Sequence, residues 1–229
     1  MTNDNAEREI VTSGPRAAAK RAGLVGRGLD LVKRDLQPQS LVVAQDGSGD
    51  YRSITEAVAA ARSGARINIR YGLYQESVVI DKALDLVGES PQGGVNIEAS
   101  NCGAAIYFCG AASGLVTNLT VSYVGPSIGA EDEVGGALRV DAGNIVVENC
   151  NLIRDVSDDR QSRSGNGVHV SGRGTKFIVR GSQISAHVAV VVADGADALI
   201  EQNQISAVQT SAFGAAVFCW DAGTRVVIR

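Results

Sequence analysis

The chain has 229 residues, enough for one large hydrophobic core, and its formal net charge is −4. This acidic balance argues against a nucleic-acid partner, because phosphate binding needs a surplus of cations. No apolar stretch approaches the roughly 20 residues that span a membrane, and residues 1–8 are polar, unlike a secretion signal.

The cysteines indicate the compartment in which the protein works. They lack the close pairing of a zinc site or a redox motif, and free thiols are typical of a reducing compartment. Together with the polar N-terminus, they predict a cytoplasmic location. The four positions are Cys102, Cys109, Cys150 and Cys219.

Residues 1–40 form the first predicted region, a disordered tail over 1–15 followed by an amphipathic helix over 16–36. Apolar residues recur there at helical spacing, and Pro38 ends the helix. Several basic residues decorate the same segment. We expect either a helix that lies on the next domain, a solvated linker, or a docking helix for a partner.

The second predicted region, residues 41–229, opens with a strand over 41–44 and a short helix over 54–61. Ser53 and Glu56 have the spacing of a capping box, which marks the start of that helix. We expect it to cover the N-terminal end of the β-rich region, whose open edge would otherwise pair with foreign strands. Alternating residues predict further strands over 66–70, 77–80 and 84–87.

From Gly103 onward, one short apolar phrase recurs every 21 to 33 residues, and a second strand-like phrase follows the first four copies. Such a period indicates a solenoid, because each unit exposes an apolar edge that only the next unit can cover. We therefore predict an all-β fold, a right-handed parallel β-helix with a helical N-terminal extension and a cap helix. Its last coil is expected to be incomplete. The phrases are Gly103–Phe108, Gly136–Asp141, Asn166–Ser171, His187–Val192 and Gly214–Cys219.

Strand alternation predicts two columns of outward side chains across these coils. The first column consists of Tyr107, Arg139, His169, Val191 and Phe218. The second column consists of Cys109, Asp141, Ser171, Ala193 and Trp220.

Two longer repeats carry polar insertions at the same corner, residues 122–134 and 154–164. They form either one wall of a site or solvated loops. The second insertion contains Asp155 and Arg160 but lacks the glycine-punctuated pattern of a calcium loop. We predict no metal and no cofactor.

The columns suggest a ligand site for a carboxylate-bearing sugar, because an arginine fork grips a carboxylate and an aromatic ring faces a sugar ring. His169 or Tyr107 could also act as a base for β-elimination, with Arg139 neutralising the substrate. The alternative is a surface ladder without a ligand. The predicted binding residues are Tyr107, Arg139, Asp141, His169, Ser171, Trp220, Asp155 and Arg160.

Three segments resemble pectin methylesterases. Val42–Val58 is similar to the opening of that family, Gly72–Glu76 matches its G-x-Y-x-E motif, and Gly136–Asp141 is similar to the stretch after its Q-A-V-A motif. The same features occur in related β-helices that are not esterases, including sugar-binding proteins and β-helix domains of F-box proteins.

The catalytic motifs of the resembled family are not matched. In-register placement puts Asn166 at its acid aspartate and Val188 at its nucleophilic aspartate. Asn166 has no acidic proton and Val188 no lone pair, whereas covalent ester hydrolysis needs both groups. The family's arginine segment also has no match before Arg229. The resemblance therefore implies a fold without the usual esterase chemistry.

These arguments predict a non-catalytic, pectinesterase-like β-helix that serves as a carbohydrate- or protein-binding scaffold, with an acidic oligosaccharide or a protein as its partner. One alternative is a lyase, epimerase or hydrolase that acts on uronic-acid-containing glycans. Another is a self-assembling structural protein, a homo-oligomer formed through the N-terminal helix or the open C-terminal coil.

Overall fold

The computed structural model describes residues 38–90, 94–101, 103–110, 113–125, 136–154, 165–207 and 215–229. These residues form a parallel β-helix, as predicted. Each full coil contributes one strand to each of three sheets, and every strand pairs in parallel with its counterparts on neighbouring coils. The stacking gives every coil a partner for its open backbone edge, which is why the repeats fold together rather than singly.

The strands fall into three sheets, which we call first, second and third in the order in which a coil visits them. The first sheet contains β1 (Ser40–Val43), β2 (Ala65–Ile69), β5 (Leu84–Gly88), β8 (Ser113–Thr117), β11 (Asn144–Glu148), β14 (Lys176–Arg180), β17 (Asp197–Glu201) and β20 (Arg225–Ile228). The second contains β3 (Gly72–Gln75), β6 (Val95–Ala99), β9 (Thr120–Tyr123), β12 (Asn151–Arg154), β15 (Gln183–Ala186) and β18 (Gln204–Ala207). The third contains β4 (Val78–Ile80), β7 (Ala104–Phe108), β10 (Gly136–Val140), β13 (Asn166–Val170), β16 (Val188–Val192) and β19 (Ala215–Cys219).

The core lies between the three sheets and consists of stacked branched side chains. In the third sheet, Ile106, Leu138, Val168 and Val190 are completely buried, as the alternation predicts, whereas Val217 on the last strand is only partly buried. Since successive residues of a strand point to opposite faces, burial of these positions turns their neighbours outward. The core thereby fixes which side chains the third sheet can present.

The one helix of the described residues, α1 (Ile54–Ala60), lies between β1 and β2, close to its predicted position. Ser53 is its N-cap, and the Ser53 hydroxyl accepts from the Glu56 amide at 3.2 Å. The capping box is only half confirmed, because Glu76 rather than Glu56 supplies a carboxylate to the helix. It accepts from the Ile54 and Thr55 amides at 2.8 Å each.

The sequence-based prediction missed β3, β6 and β20, and it treated each second phrase as one strand-like segment where the structure has two strands in different sheets. β3 has only four residues and begins with Gly72, so it is too short to display a clear alternation. The predicted tail and helix of residues 1–36 lie outside the described residues, and so do Asp155, Arg160 and most of both insertions. The domain boundary at residue 40 and self-association through the N-terminal helix stay predictions. In the part of the chain that the structure describes, no helix is long and apolar enough to cross a membrane.

Candidate functional site

The third sheet aligns the two predicted columns. In the first column, Arg139 on β10 pairs in register with Tyr107 on β7 and with His169 on β13. The second column begins one residue beyond the strands. There, the Asp141 amide donates to the Phe108 carbonyl and the Ser171 amide donates to the Val140 carbonyl, so both positions continue the ladder. The register thus brings together residues that are more than 60 positions apart in the sequence.

Asp141 is the centre of a polar cluster, by which we mean Tyr107, Arg139, Asp141 and Ser171. The Tyr107 hydroxyl donates to Asp141 Oδ2 at 2.7 Å, and the Ser171 hydroxyl donates to Oδ1 at 3.0 Å. Arg139 Nε lies 2.9 Å from Oδ1 and 3.1 Å from Oδ2. The guanidinium carbon also stands 5.1 Å from the centre of the Tyr107 ring, within cation–π range. Residues from three coils are therefore held in one fixed arrangement.

The backbone after Ser171 lies close to the backbone of the preceding coil at Asp141. Gly172 has φ = 94°, and a Cβ there would lie 2.4 Å from the Asp141 carbonyl oxygen. Only glycine fits both constraints. Thr175 then closes the turn by donating its hydroxyl to the Ser171 carbonyl at 2.8 Å.

The cluster fixes the charges of its members. Burial would raise the pKa of Asp141, but hydrogen bonds from Arg139, Tyr107 and Ser171 outweigh it and lower that pKa. Burial, together with the hydrogen bond to the Asp141 carboxylate, raises the pKa of Tyr107 to about 12. Near neutral pH the cluster therefore contains one cation, one anion and a neutral phenol.

His169 lies beside this cluster and is half-buried. Burial, and next the positive charge of Arg139, lower the pKa of its imidazole, so the ring is neutral near pH 7. The Asn166 side-chain amide nitrogen lies 3.3 Å from Nδ1, so a His169 ring with its proton on Nε2 would accept a hydrogen bond from that amide. Asn166 was predicted as the counterpart of a catalytic acid and not as a partner of His169, although the spacing of three residues between them is visible in the sequence.

The far end of the columns carries an aromatic pair, Phe218 and Trp220. Their rings meet edge-to-face with centroids 5.5 Å apart, and 38% and 50% of their surfaces are exposed. Between this pair and the polar cluster, Val191 and Ala193 are buried rather than exposed, contrary to the prediction of two open columns. The sequence-based set included Trp220 but not Phe218, although both stand in the predicted columns.

The two positions that would carry the catalytic aspartates of the resembled family are neighbours. Asn166 on β13 pairs in register with Val188 on β16. The register therefore places these two side chains, neither of which is a carboxylate, next to each other on adjacent coils. Among the described residues, no group of acidic, histidine or cysteine side chains could hold a metal ion.

Comparison with known proteins agrees with this architecture. The pectinesterase family model matches residues 40–159, which is more than half of the chain. Pectinesterase 3 of Solanum lycopersicum is 31% identical over 123 residues, covering 48% of this chain and 22% of that protein. A pectinesterase/pectinesterase inhibitor of Ficus pumila var. awkeotsang is 40% identical over 70 residues, covering 28% of this chain and 13% of that protein. The chain thus spans less than a quarter of the length of these curated relatives.

Two solved structures support the fold. Escherichia coli YbhC superimposes with a TM-score of 0.53 at 16% identity, covering 84% of this chain and 65% of that one. A pectin methylesterase mutant in complex with a hexasaccharide gives a TM-score of 0.54 at 17% identity, covering 84% and 67%. Such low identities establish the β-helix alone. The family match itself ends at residue 159, before Asn166 and Val188. With more than half of its length matched by the family model, the chain belongs to the pectinesterase family.

Proposed function

We propose that this chain is a non-catalytic pectinesterase-like β-helix that binds a carbohydrate on the outer face of its third sheet. The observation that carries the proposal is the hydrogen-bonded polar cluster on the same sheet as an exposed aromatic pair. Sugars present hydroxyl groups along their edges and C–H groups on their faces, and the two parts of this face match those two surfaces.

The polar cluster is suited to recognition because its geometry is fixed in advance. Tyr107, Arg139 and Ser171 all bond to Asp141, so little side-chain freedom remains to be lost on binding. Phe218 and Trp220 hold each other edge-to-face, which leaves aromatic surface exposed to a ligand. Tyr107, Arg139 and Phe218 project from paired strands, and the other members follow directly after a strand, so the sheet positions them more rigidly than a loop would.

Asn166 and Val188 support the non-catalytic part of the proposal. They pair in register on adjacent coils, and the resemblance to pectin methylesterases implies that an ester-cleaving member would carry its acid and its nucleophile at these two positions. Purified protein should release methanol from methyl-esterified pectin no faster than a boiled sample. Release above that background that saturates with substrate would contradict this part of the proposal.

The binding proposal is tested by calorimetric titration with a panel of neutral and acidic oligosaccharides. Arg139→Ala and Trp220→Ala should each weaken binding about tenfold or more, since buried aromatic and arginine contacts dominate interfaces. Arg66→Ala is the matched control, because Arg66 lies on the first sheet and half of its side chain is exposed. Equal binding by the wild-type protein and the three variants would refute the proposed site. Binding of no oligosaccharide would leave a protein-binding scaffold as the better proposal.

One observation favours a second candidate, an enzyme of the lyase, epimerase or hydrolase type. His169 is neutral near pH 7 and half-buried beside Arg139, so it could accept a proton from a bound substrate. The raised pKa of Tyr107 disfavours that residue as a base, since it holds its proton too tightly. Glycan cleavage or epimerisation that is abolished in His169→Ala but retained in Tyr107→Phe would establish this candidate.

We further propose that the protein works in a reducing compartment such as the cytoplasm. The described cysteines Cys109, Cys150 and Cys219 are free thiols, which persist where glutathione keeps proteins reduced. Fractionation of the native host checks the location, and recovery of the protein outside the cell would contradict it.

A further inference from the structure

The single arginine of the polar cluster already has a carboxylate partner within the protein. Arg139 Nε contacts both Asp141 oxygens, at 2.9 and 3.1 Å. Asp141 therefore stands where the carboxylate of an acidic sugar was expected to meet the arginine. An incoming uronate would have to compete with a partner that is fixed in place and already hydrogen-bonded, which weakens the attraction that the sequence suggested.

The surroundings of the cluster add further negative charge. The outward positions of the described third-sheet strands, together with the described residues among the three after each strand, hold four carboxylates and three cations. One cation, Lys82, is turned to the end of α1, where its Nζ lies 3.2 Å from the Val58 carbonyl. The carboxylates are Asp81, Asp141, Asp194 and Asp221, and the cations are Lys82, Arg139 and Arg173.

The direction of the hydrogen bonds makes a second, independent distinction. The hydroxyl groups of Tyr107 and Ser171 donate their protons in hydrogen bonds to Asp141, so they offer a ligand only acceptor lone pairs. A sugar hydroxyl can donate to such an acceptor. An ionised uronate carboxylate has no proton to donate. Its negative oxygens are repelled by the partial negative charge of the Tyr107 hydroxyl oxygen.

We infer that this face selects uncharged oligosaccharides over uronates, with Asp141 acting as a built-in countercharge to Arg139. The inference rests on the proposed carbohydrate-binding function and names the ligand class for the same site. Sugar hydroxyls are recognised by Tyr107 as an acceptor, while the aromatic pair meets the face of a ring.

The test compares two ligands of the same ring type and length, α-1,4-linked galactotetraose and tetragalacturonate, which differ at C6. The wild-type chain should bind the neutral tetramer about tenfold more tightly, because Asp141 already neutralises Arg139 and the surrounding carboxylates repel a ligand carboxylate. Added sodium chloride should strengthen binding of the acidic tetramer by screening that repulsion. Tighter binding of the acidic tetramer, weakened by salt, would overturn the inference while leaving the proposed function standing.

The Asp141→Asn variant gives the more discriminating test, since the substitution keeps the shape of the side chain and removes its charge. The surroundings of Arg139 then lose one negative charge, and the affinity for tetragalacturonate relative to that for galactotetraose should rise about tenfold. Asp197→Asn, on the first sheet, is the matched control and should change neither affinity. An unchanged ratio of the two affinities in Asp141→Asn would overturn the inference.

The outcomes separate this inference from the function on which it rests. If Asp141→Asn does not fold, as judged by circular dichroism, the ratio and salt dependence of the wild-type protein decide the matter alone. If the wild-type chain binds neither tetramer at millimolar concentration, and no other sugar of the panel, the proposed carbohydrate function itself is refuted.

Discussion

Tyr107 and Asp141 lie on neighbouring coils, 34 positions apart in sequence, and the Tyr107 hydroxyl donates to Asp141 Oδ2 at 2.7 Å. This contact holds the two residues in opposite ionisation states. The pKa of Tyr107 rises to about 12 through burial and the carboxylate, whereas the pKa of Asp141 falls because donors surround it. The stability and the binding properties of the third sheet should therefore depend on Asp141.

Replacing Asp141 by Asn should lower the free energy of unfolding at pH 7 by about 1–2 kcal/mol, the usual range for hydrogen bonds to a charged group that is partly exposed. About a quarter of the Asp141 side chain is exposed, which keeps the estimate at the lower end. Urea unfolding measures the loss. Asp197→Asn, which is more exposed, should lose less, and equal losses would mean that the cluster contributes no special stability.

The contribution of Asp141 should depend on pH in a defined direction. Its folded pKa is depressed, so the stability is present above the unfolded value of about 3.9 and is lost as pH falls through the folded value. The difference in unfolding free energy between wild type and Asp141→Asn should therefore shrink below about pH 4. Denaturant titrations between pH 7 and pH 2 test this, and a difference that stays constant would contradict the assigned ionisation.

The pKa of the His169 imidazole should lie below its ordinary value of about 6.5. In Arg139→Ala this pKa should rise. Burial is the larger cause of the shift, and the Arg139 charge is the second, so the upward move will be partial. The chain has two histidines, and His169→Gln assigns the signals in proton NMR titrations. Arg66→Ala should leave the His169 midpoint where it is, and a midpoint unchanged in Arg139→Ala would exclude the charge coupling.

The same shift in His169 has a consequence for stability. Because its pKa is lowered in the folded state, the unfolded chain takes up the proton first, and stability should fall as pH drops below about 6.5. The fall should be smaller in His169→Gln.

Glu76 should matter more for stability than its partly exposed position suggests. Its carboxylate accepts from the Ile54 and Thr55 amides at the start of α1, where free N–H groups need acceptors. Glu76→Ala should reduce the free energy of unfolding by about 1–2 kcal/mol. Glu56→Ala is the matched control on the helix itself and should lose less, since the Glu56 backbone amide, not its carboxylate, bonds to Ser53.

Gly114 should tolerate no side chain. A Cβ there would lie 1.8 Å from the Leu84 carbonyl oxygen on the neighbouring coil, so Gly114→Ala must force the stacked strands apart. We expect a loss of at least about 2 kcal/mol, as for other overpacked core positions. At Gly64 a Cβ meets nothing within 4 Å, so Gly64→Ala should lose only about 1 kcal/mol, from its left-handed backbone. Similar losses in the two variants would contradict the close approach.

The third sheet shows how far local pattern carries a prediction. Alternation along each repeated phrase predicted that Leu138 and Val168 are buried and that Arg139 and His169 stand side by side, and the observed register agrees. The same reasoning placed Val191 and Ala193 on an open face, yet both are buried. Alternation reports which face of a strand a residue occupies, whereas exposure also depends on what covers that face.

The sequence by itself determined the solenoid, because a repeat of short apolar strands can bury its edges only by stacking. Only the tertiary structure decided that Asp141 accepts hydrogen bonds from Tyr107, Arg139 and Ser171 at once. Those bonds depend on distances of a few tenths of an ångström between coils, and on the direction in which each hydroxyl donates. Neither is encoded in the spacing of residues along one strand, so the charge balance of the site emerged only when the coils were stacked.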